Sequence, residues 1–304
     1  MDGKISNLQQ VASLRRYTLT EGKERGLDVL DCDNGKLRFL LNASKACDIM
    51  QLYHKGQNVS FLSKNAFTAR ETDFLTRFEG GMLYTCGLDS VGGREGFPLH
   101  GSLHNIPAQI VTARCDEDGI LVETVIRDCA LFGKNLVLKR KVFSAIGSDS
   151  VTVEDTLCNE GFQAQDYCLL YHINVGYPLL DDGAKVVVNA QNTDSRTAWA
   201  EQNKATMYEM SDCIVGQEET CYYLDLPDGK AALVNEKLGK AFCVEYSKKT
   251  LPHFLEWKSM ASGDYALGLE PATTRLDEQF AYQKIGAGEK IAFQICLQVK
   301  ELEK

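Results

Sequence analysis

Residues 120–127 read ILVETVIR, a segment in which apolar side chains recur at every second position. Residues 136–143 (LVLKRKVF) and 150–157 (SVTVEDTL) follow with the same period, separated only by short polar segments. A period of two is typical of a strand with one buried face, because successive side chains point to opposite sides of the strand. The three segments therefore predict consecutive antiparallel strands.

The same pattern continues through the rest of the chain. It recurs in residues 185–189, 220–226, 231–235, 241–246, 265–269 and 290–299. Turn motifs rich in Asp and Gly separate these segments, such as DEDG at residues 116–119. Helical periodicity is confined to residues 5–14 and to a turn near residues 63–75. With no linker or repeat, we expect residues 1–304 to form a single all-β domain, a sandwich of large antiparallel sheets.

The charge and hydropathy of the chain exclude several classes of partner. Lys and Arg number 33 against 42 Asp and Glu, which gives a net charge of −9. No basic stripe offsets this charge, so we expect no nucleic acid partner. No apolar run approaches the roughly 18–20 residues that cross a bilayer, so we expect no membrane association. No export signal follows Met1, and we expect a cytoplasmic protein.

Cysteine usage and the absence of cofactor motifs narrow the chemistry further. The eleven cysteines are odd in number, form no C-x-x-C pair and mostly lie in apolar runs, which indicates reduced core thiols. The sequence has no phosphate loop, dinucleotide fingerprint, nucleophile elbow or H-E-x-x-H motif. We therefore expect no cofactor, and acid–base chemistry by His and Glu is the remaining candidate.

The first candidate segment is FPLHGSLHNIPA at residues 97–108. His100 and His104 have the spacing of a zinc-binding helix, but Gly101 and Pro107 disfavour a helix and no Glu follows His100. We therefore expect no metal site here. Histidines on a rigid loop can bind sugar hydroxyls, or one of the two can instead be bonded to the backbone.

The second candidate segment is LLYHINVGYPLL at residues 169–180. His172 and Asn174 project from the same face of an apolar strand, because they are two residues apart. Burying both without partners would cost about 1–3 kcal/mol each. Either the two side chains satisfy each other in the core, or this face lines a polar cleft.

The third candidate segment is DYALGLEPATTR at residues 264–275. Glu270 ends an apolar strand, and we expect Pro271 to stop the strand there. A carboxyl group in such a place can have a raised pKa, which suits a general base. The alternative is a salt bridge from Glu270 to Arg275.

These segments together resemble the galactose mutarotase-like superfamily. The matching landmarks are LHG at residues 99–101, His172 with Asn174, and Glu270-Pro271. The closer resemblance is to an aldose 1-epimerase-like branch, through GGMLYTCGL at 80–88, GYPLL at 176–180 and Trp257 ahead of GLEP at 268–271. The resemblance covers the whole chain and implies a β-supersandwich with a cleft for a pyranose.

The resemblance also implies the reaction and the roles of individual residues. Mutarotases open a sugar ring and close it on the other face, which interconverts the anomers at C1. Carried over to this sequence, Glu270 would remove the proton of the C1 hydroxyl and His172 would protonate the ring oxygen. The implied substrate-binding residues are His100, Arg77, His104, Asn174 and Trp257.

Two other functions are compatible with the sequence. A non-catalytic carbohydrate-binding or regulatory module would keep the sugar-binding residues without a matched acid and base. A lyase or isomerase of an acidic or phosphorylated sugar would need several cations in the cleft, for which Arg77, Arg94 and Lys258 are candidates. The sequence specifies neither the sugar nor the oligomeric state.

Overall fold

The structure, a computed structural model, describes residues 3–303, and strands dominate these residues. They form twenty strands, two short α-helices and four single-turn 3₁₀ helices. The strands are β1 (Ser13–Thr18), β2 (Asp28–Asp33), β3 (Leu37–Asn42), β4 (Asp48–His54), β5 (Gln57–Asn58), β6 (Leu83–Leu88), β7 (Gln109–Asp116), β8 (Gly119–Cys129), β9 (Asn135–Ser144), β10 (Ser150–Asn159), β11 (Gln165–Val175), β12 (Lys185–Val188), β13 (Thr193–Ser195), β14 (Thr220–Leu224), β15 (Lys230–Asn235), β16 (Lys240–Tyr246), β17 (His253–Ala261), β18 (Asp264–Ala272), β19 (Gln283–Ile285) and β20 (Lys290–Glu301). The helices are α1 (Phe74–Arg77) and α2 (Ala198–Gln202), with 3₁₀ turns at Leu8–Gln10, Gly22–Glu24, Leu103–Asn105 and Lys204–Thr206.

The strands assemble into three antiparallel sheets. The five-stranded sheet has the order β1-β2-β3-β4-β5, and the eight-stranded sheet has the order β12-β15-β16-β20-β10-β9-β8-β7. The seven-stranded sheet has the order β13-β14-β17-β18-β11-β19, with β6 also pairing with β11. The prediction of an all-β fold of large antiparallel sheets is confirmed.

Each segment with a period of two forms a strand. The structure differs from the prediction at the ends of strands and in the helices. The predicted helical segment at residues 5–14 is only one 3₁₀ turn, because β1 begins at Ser13. The prediction that Pro271 ends its strand was wrong, since β18 continues to Ala272 and Pro271 pairs with Phe254 of β17. Within residues 3–303, no helix is long and apolar enough to cross a membrane.

Alternation along β11 separates two apolar regions. Leu169, Tyr171 and Ile173 point into the main core, which all three sheets share. Cys168 and Leu170 point the other way, into a second apolar group that we call the outer cluster. The outer cluster consists of Tyr84, Cys86, Val91, Cys168, Leu170, Cys221, Tyr223, Leu255 and Ala272. Residues at even positions of β11 are therefore directed away from the main core.

A buried arginine joins the three sheets. Arg140 of β9 forms a bidentate pair with Asp155 of β10, at 2.9 and 2.7 Å. Its guanidinium also donates to Asp48, the first residue of β4, and to the Thr85 hydroxyl of β6 at 2.9 Å. Burial opposes the charge, but Asp155 and Asp48 raise the pKa of Arg140 well above its usual value. One cation therefore pairs with two buried carboxylates from different sheets.

Arg140→Met is expected to destabilise the protein by about 3–5 kcal/mol, because it leaves Asp48 and Asp155 buried without their counter-charge. Urea unfolding measures this change. Arg127→Met is the matched control: Arg127 pairs with Glu160 on the surface, where an ion pair contributes at most about 1 kcal/mol. Similar losses for the two variants would show that Arg140 does not have this role.

Candidate functional site

The inward side chain of Tyr171 fixes which way His172 points. The Tyr171 hydroxyl donates to Asp155 at 2.7 Å, within the charge network of Arg140. Because alternate side chains of a strand lie on opposite faces, His172 must project to the face of the outer cluster. His172 is 5% exposed there, at the base of a cavity.

Strand register brings Glu270 opposite His172. Leu170 pairs with Ala272 and Ile173 pairs with Leu269, and these two pairs enclose the positions of His172 and Glu270. The His172 Nε2 lies 3.2 Å from the Glu270 Oε1, and both side chains are almost completely buried. The two atoms are at hydrogen-bond distance but are not aligned as a hydrogen bond. The two predicted catalytic side chains therefore meet across adjacent strands.

A glycine on β18 makes room for this carboxyl group. Gly268 lies two residues before Glu270 on the same face and pairs with Asn174 on one side and Trp257 on the other. A Cβ at Gly268 would overlap the Glu270 Oε1 and would approach the Trp257 Cβ to 3.2 Å. Any side chain here would displace the carboxyl group.

The pair opens into a cavity of about 590 Å³. Four of the seven residues predicted for the site line it: His100, His172, Trp257 and Glu270. Most of the apolar lining residues come from α1 and from neighbouring loops. Several of the polar lining residues lie on or next to strands β14, β17 and β18. The further lining residues are Phe61, Ser63, Lys64, Asn65, Phe74, Leu75, Phe78, Gly92, Gly93, Leu99, Arg196, Gln217, Glu219, Cys221, Ser259, Ala261, Asp264 and Leu276.

His100 is held by its own loop beside His172. Its backbone is left-handed, with φ of 63°, and its Nδ1 accepts a hydrogen bond from the Gly92 N–H at 3.3 Å. Its ring centroid lies 5.5 Å from that of His172. Burial, reinforced by the charge of Arg196, lowers the pKa of His100 to about 4. His100 is therefore a neutral imidazole at the edge of the pair.

Trp257 forms the floor of the cavity next to the pair. Its ring lies edge-on to His172, with centroids 5.4 Å apart, and its Nε1 donates to Glu219 at 2.7 Å. The Trp257 side chain is only partly buried and lines the cavity. An apolar face of a sugar ring can stack on such a surface.

The environments of His172 and Glu270 shift their pKa values in opposite directions. Burial, assisted by the charge of Glu219 and opposed by Arg196, raises the pKa of Glu270 to about 8. Burial, assisted by His100 and opposed by Asn174, lowers the pKa of His172 to about 3. Between these values the pair holds a single titratable proton, which lies on Glu270. Such a pair can deliver one proton and accept another.

His104, predicted as a substrate-binding residue, is not among the residues that line the cavity. Its Nδ1 lies 2.7 Å from Asp48 and its Nε2 lies 2.9 Å from Glu79, so both ring nitrogens have partners. Burial lowers the pKa of His104, but the hydrogen bonds and charges of Glu79 and Asp48 raise it by more, so the net shift is upward. The ring stacks on Tyr84, with centroids 3.7 Å apart. His104 extends the Arg140 network.

Asn174 and Arg77 also lie outside the cavity lining. Asn174 is fully buried and donates to the carbonyl of His172 at 3.0 Å. It raises the pKa of His172, although its Oδ1 lies outside normal hydrogen-bond geometry. Arg77 is the buried last residue of α1, whose neighbours Phe74 and Phe78 line the cavity instead. Asn174 supports His172 from the side, and neither residue is placed to contact a ligand.

Arg196 and Glu219 line the cavity and were missed by sequence reasoning. Arg196 extends the β13–β14 pairing, because its N–H donates to the carbonyl of Cys221 at 2.9 Å. Glu219 immediately precedes β14. Residues 196 and 219 flank an irregular segment without alternation, so no local pattern marked either residue as functional.

The competing readings of the candidate residues find no support in the structure. Arg275 pairs with Asp194 and Asp277 rather than with Glu270. Arg94 stacks on Phe280, and Lys258 donates to backbone carbonyls on the inner side of its sheet, so neither lines the cavity. In the described part of the chain, no three His, Cys, Asp or Glu side chains form a group that could hold a metal ion.

Comparison with known protein families identifies the chain. The profile of the family described as "Domain of unknown function (DUF4432)" matches residues 24–295. The chain belongs to this DUF4432 family. A comparison with curated proteins found no significant match.

Solved structures place the DUF4432 chain in a known fold. A "putative aldose 1-epimerase" from Klebsiella pneumoniae subsp. pneumoniae aligns with a TM-score of 0.88 and 19% identity, over 96% of this chain and 86% of that one. A "galactose mutarotase-like protein" from Clostridium acetobutylicum gives 0.71 and 14%, over 96% and 100%. A "putative mutarotase" from Salmonella typhimurium gives 0.69 and 14%, over 98% and 96%. The chain therefore has the galactose mutarotase-like fold, as the sequence motifs indicated.

Glu270→Gln is expected to stabilise this DUF4432 protein at alkaline pH. Between pH 4.5 and about 8 the folded protein retains a proton on Glu270 that the unfolded chain releases, so stability falls as the pH rises through this window. Gln cannot ionise, so the variant avoids a loss of about 1.4 kcal/mol per pKa unit. Urea unfolding at pH 4 and pH 8.5 measures the difference.

The expected gain is a few kcal/mol at pH 8.5 and close to zero at pH 4. Glu236→Gln, at an exposed position, serves as the matched control and should show no such pH dependence. An equal effect of Glu270→Gln at both pH values would contradict the raised pKa.

Proposed function

We propose that the protein is an aldose 1-epimerase-like enzyme that interconverts the anomers of a sugar without a cofactor. The observation that carries the proposal is the His172–Glu270 pair, whose 3.2 Å contact lies at the base of the cavity. Anomer exchange needs one proton removed and one delivered at two oxygens on the same carbon. A carboxyl group and an imidazole in one pocket supply the two groups that this exchange needs.

The roles implied by the resemblance can be fitted to this pair. Glu270 accepts the proton of the C1 hydroxyl, and His172 delivers a proton to the ring oxygen. In the free protein, burial places the shared proton on Glu270, so it must pass to His172 before ring opening. The 3.2 Å separation of the two atoms allows that transfer after a small rotation. The ring then opens, the C1–C2 bond rotates and the reverse transfers close the ring.

The residues around the pair would bind and orient the sugar. Neutral His100 offers its Nε2 to the sugar near the ring oxygen, because its Nδ1 is already occupied by the Gly92 N–H. Trp257 would stack against the apolar face of the pyranose, and Asn174 would hold the imidazole of His172 in place. Phe74 and Phe78 shield the pair from water on the opposite side.

The alternative functions predict different behaviour at the same cavity. A carbohydrate-binding module would bind sugar and would not need the opposed pKa shifts of His172 and Glu270. An enzyme for phosphorylated sugars needs several cations. Among residues 3–303, the cations that line the cavity are Arg196 and Lys64, and Lys64 already pairs with Asp264. These observations favour anomer exchange on a sugar without a phosphate.

The proposal extends to the domain organisation and the compartment. We propose that residues 1–304 act as a single galactose mutarotase-like domain, because the cavity lining extends from Phe61 to Leu276. We also propose a cytoplasmic location, since all eleven cysteines are free thiols and six of them are buried.

Glu270→Gln is expected to lower anomer exchange by about 10²- to 10⁴-fold, because one partner in proton transfer is lost. His172→Asn is expected to lose at least as much activity as His100→Asn, since a proton donor contributes more than a binding contact. Exchange NMR on a panel of aldoses measures the rates, and saturation-transfer NMR measures sugar binding. Full activity of Glu270→Gln would exclude this mechanism, while sugar binding without exchange by the wild type would favour the binding module.

The pH dependence of kcat/KM should report the pair as a unit. We expect a plateau that falls above about pH 8, where the pair loses its last proton, and below about pH 3, where it gains a second one. Glu219→Gln should move the upper limb to lower pH, because the charge of Glu219 raises the pKa of Glu270. Rates corrected for uncatalysed exchange provide the measurement, and an upper limb unmoved by this variant would refute the electrostatic link.

A further inference from the structure

The cavity continues well beyond the catalytic pair as a groove along β17 and β18. Trp257, Ser259 and Ala261 line it from one strand, and Glu270 and Asp264 line it from the other. Their register, in which Ala261 pairs with Asp264, places all of them on the same face. Asp264 and Glu270 are six positions apart, so at about 3.3 Å per residue the groove extends about 20 Å from the pair.

The size of the cavity fits a ligand larger than one sugar ring. A volume of about 590 Å³ lies well inside the range of roughly 300–1,000 Å³ that accommodates drug-sized molecules. The far end is bounded by an ion pair between the Lys64 Nζ and Asp264, at 2.7 Å. A single pyranose against His172 and Trp257 would leave the part of the groove beyond Trp257 empty.

Unpartnered polar side chains line that remaining part, which we call the distal half. The side chains of Gln217 and Ser259, beyond Trp257, and of Arg196, level with Trp257, form no hydrogen bond or ion pair with any other group in residues 3–303. They offer both donors and acceptors to a ligand. The half around the catalytic pair has instead an apolar wall of Phe74, Phe78 and Leu276. The distal half therefore has the chemistry that sugar hydroxyl groups require.

We propose that the substrate is the reducing end of a neutral oligosaccharide. The sugar with the free C1 hydroxyl lies at His172 and Glu270, and at least one further sugar unit lies in the distal half. Its hydroxyl groups bind the free side chains of Arg196, Gln217 and Ser259. This inference rests on the proposed anomer exchange and adds the class of substrate to it.

The charges of the distal half favour a neutral ligand over an acidic one. The cavity is lined by two cations, Arg196 and Lys64, and by three carboxyl groups, Glu219, Asp264 and Glu270. Glu270 retains its proton because burial raises its pKa to about 8, so two anions remain against the two cations. The cavity thus has no net charge that would attract a carboxylate or phosphate. Arginine and carboxylate side chains together can bind adjacent hydroxyl groups by hydrogen bonds.

The decisive experiment compares monosaccharides with disaccharides that end in the same sugar. Exchange NMR would measure kcat/KM for glucose with maltose, cellobiose, lactose and melibiose, for xylose with xylobiose, and for galactose with galactobiose. Two or more additional hydrogen bonds should raise kcat/KM for the best disaccharide by about 10-fold over its monosaccharide. A monosaccharide value equal to or above that of every matched disaccharide overturns the oligosaccharide proposal and leaves anomer exchange intact. No exchange of any sugar overturns the proposed function itself.

Two variants of the distal half test the contacts directly. Gln217→Ala removes a hydrogen-bonding group, and Ser259→Phe fills the groove beyond Trp257. Both should reduce the ratio of disaccharide to monosaccharide kcat/KM towards 1, whereas the control Gln202→Ala, on exposed α2, should retain the ratio of the wild type. Because both sugars are measured on the same preparation of each variant, a loss of folded protein does not change this ratio. An unchanged ratio in both variants overturns the assignment of the distal half.

Discussion

The buried ion pairs and hydrogen bonds of Arg140 link one strand from each of the three sheets. Asp155, Asp48 and Thr85 come from the eight-, five- and seven-stranded sheets respectively. A buried guanidinium is tolerated only where carboxylates and hydrogen bonds compensate for its lost hydration. The relative positions of the sheets are therefore restricted to those that bring these oxygens to Arg140. Tyr171 takes part in the same network through Asp155, and this contact fixes the orientation of β11.

The candidate site is a consequence of that orientation. With Tyr171 directed inward, His172 must face outward, and the register of β18 then places Glu270 beside it. Gly268 leaves the space that the carboxyl group needs. Burial acts on the two groups in opposite directions, since it disfavours the charged form of each. The Arg140 network, which orients β11, thus also places a proton-sharing pair at the base of a cavity.

Local sequence patterns identified part of this site, and the limits of the prediction have physical causes. His172 and Glu270 could be found because a polar residue in an apolar strand breaks the alternation. Asn174 gave the same signal for a different reason, since buried polar groups also interrupt apolar strands. His104 was selected instead for its position on a loop that contains Gly and Pro. Arg196 gave no signal, because it follows a three-residue strand in a region without a regular period. A polar residue in an apolar strand therefore indicates burial with a partner but does not distinguish structural partners from catalytic ones.

The sequence by itself determined the fold class and the position of most strands. These features depend on interactions between neighbours in the chain, where the alternation of side chains directly reflects the burial of one face. Only the tertiary structure decided that His172 contacts Glu270, that His104 does not line the cavity and that a polar groove extends along β17 and β18. The contact of His172 with Glu270 depends on the register of β11 against β18, two strands about a hundred residues apart in the chain. The position of His104 depends on its contacts with Asp48 and Glu79, which lie in other segments. Register is set by packing across sheets, which a linear pattern does not encode.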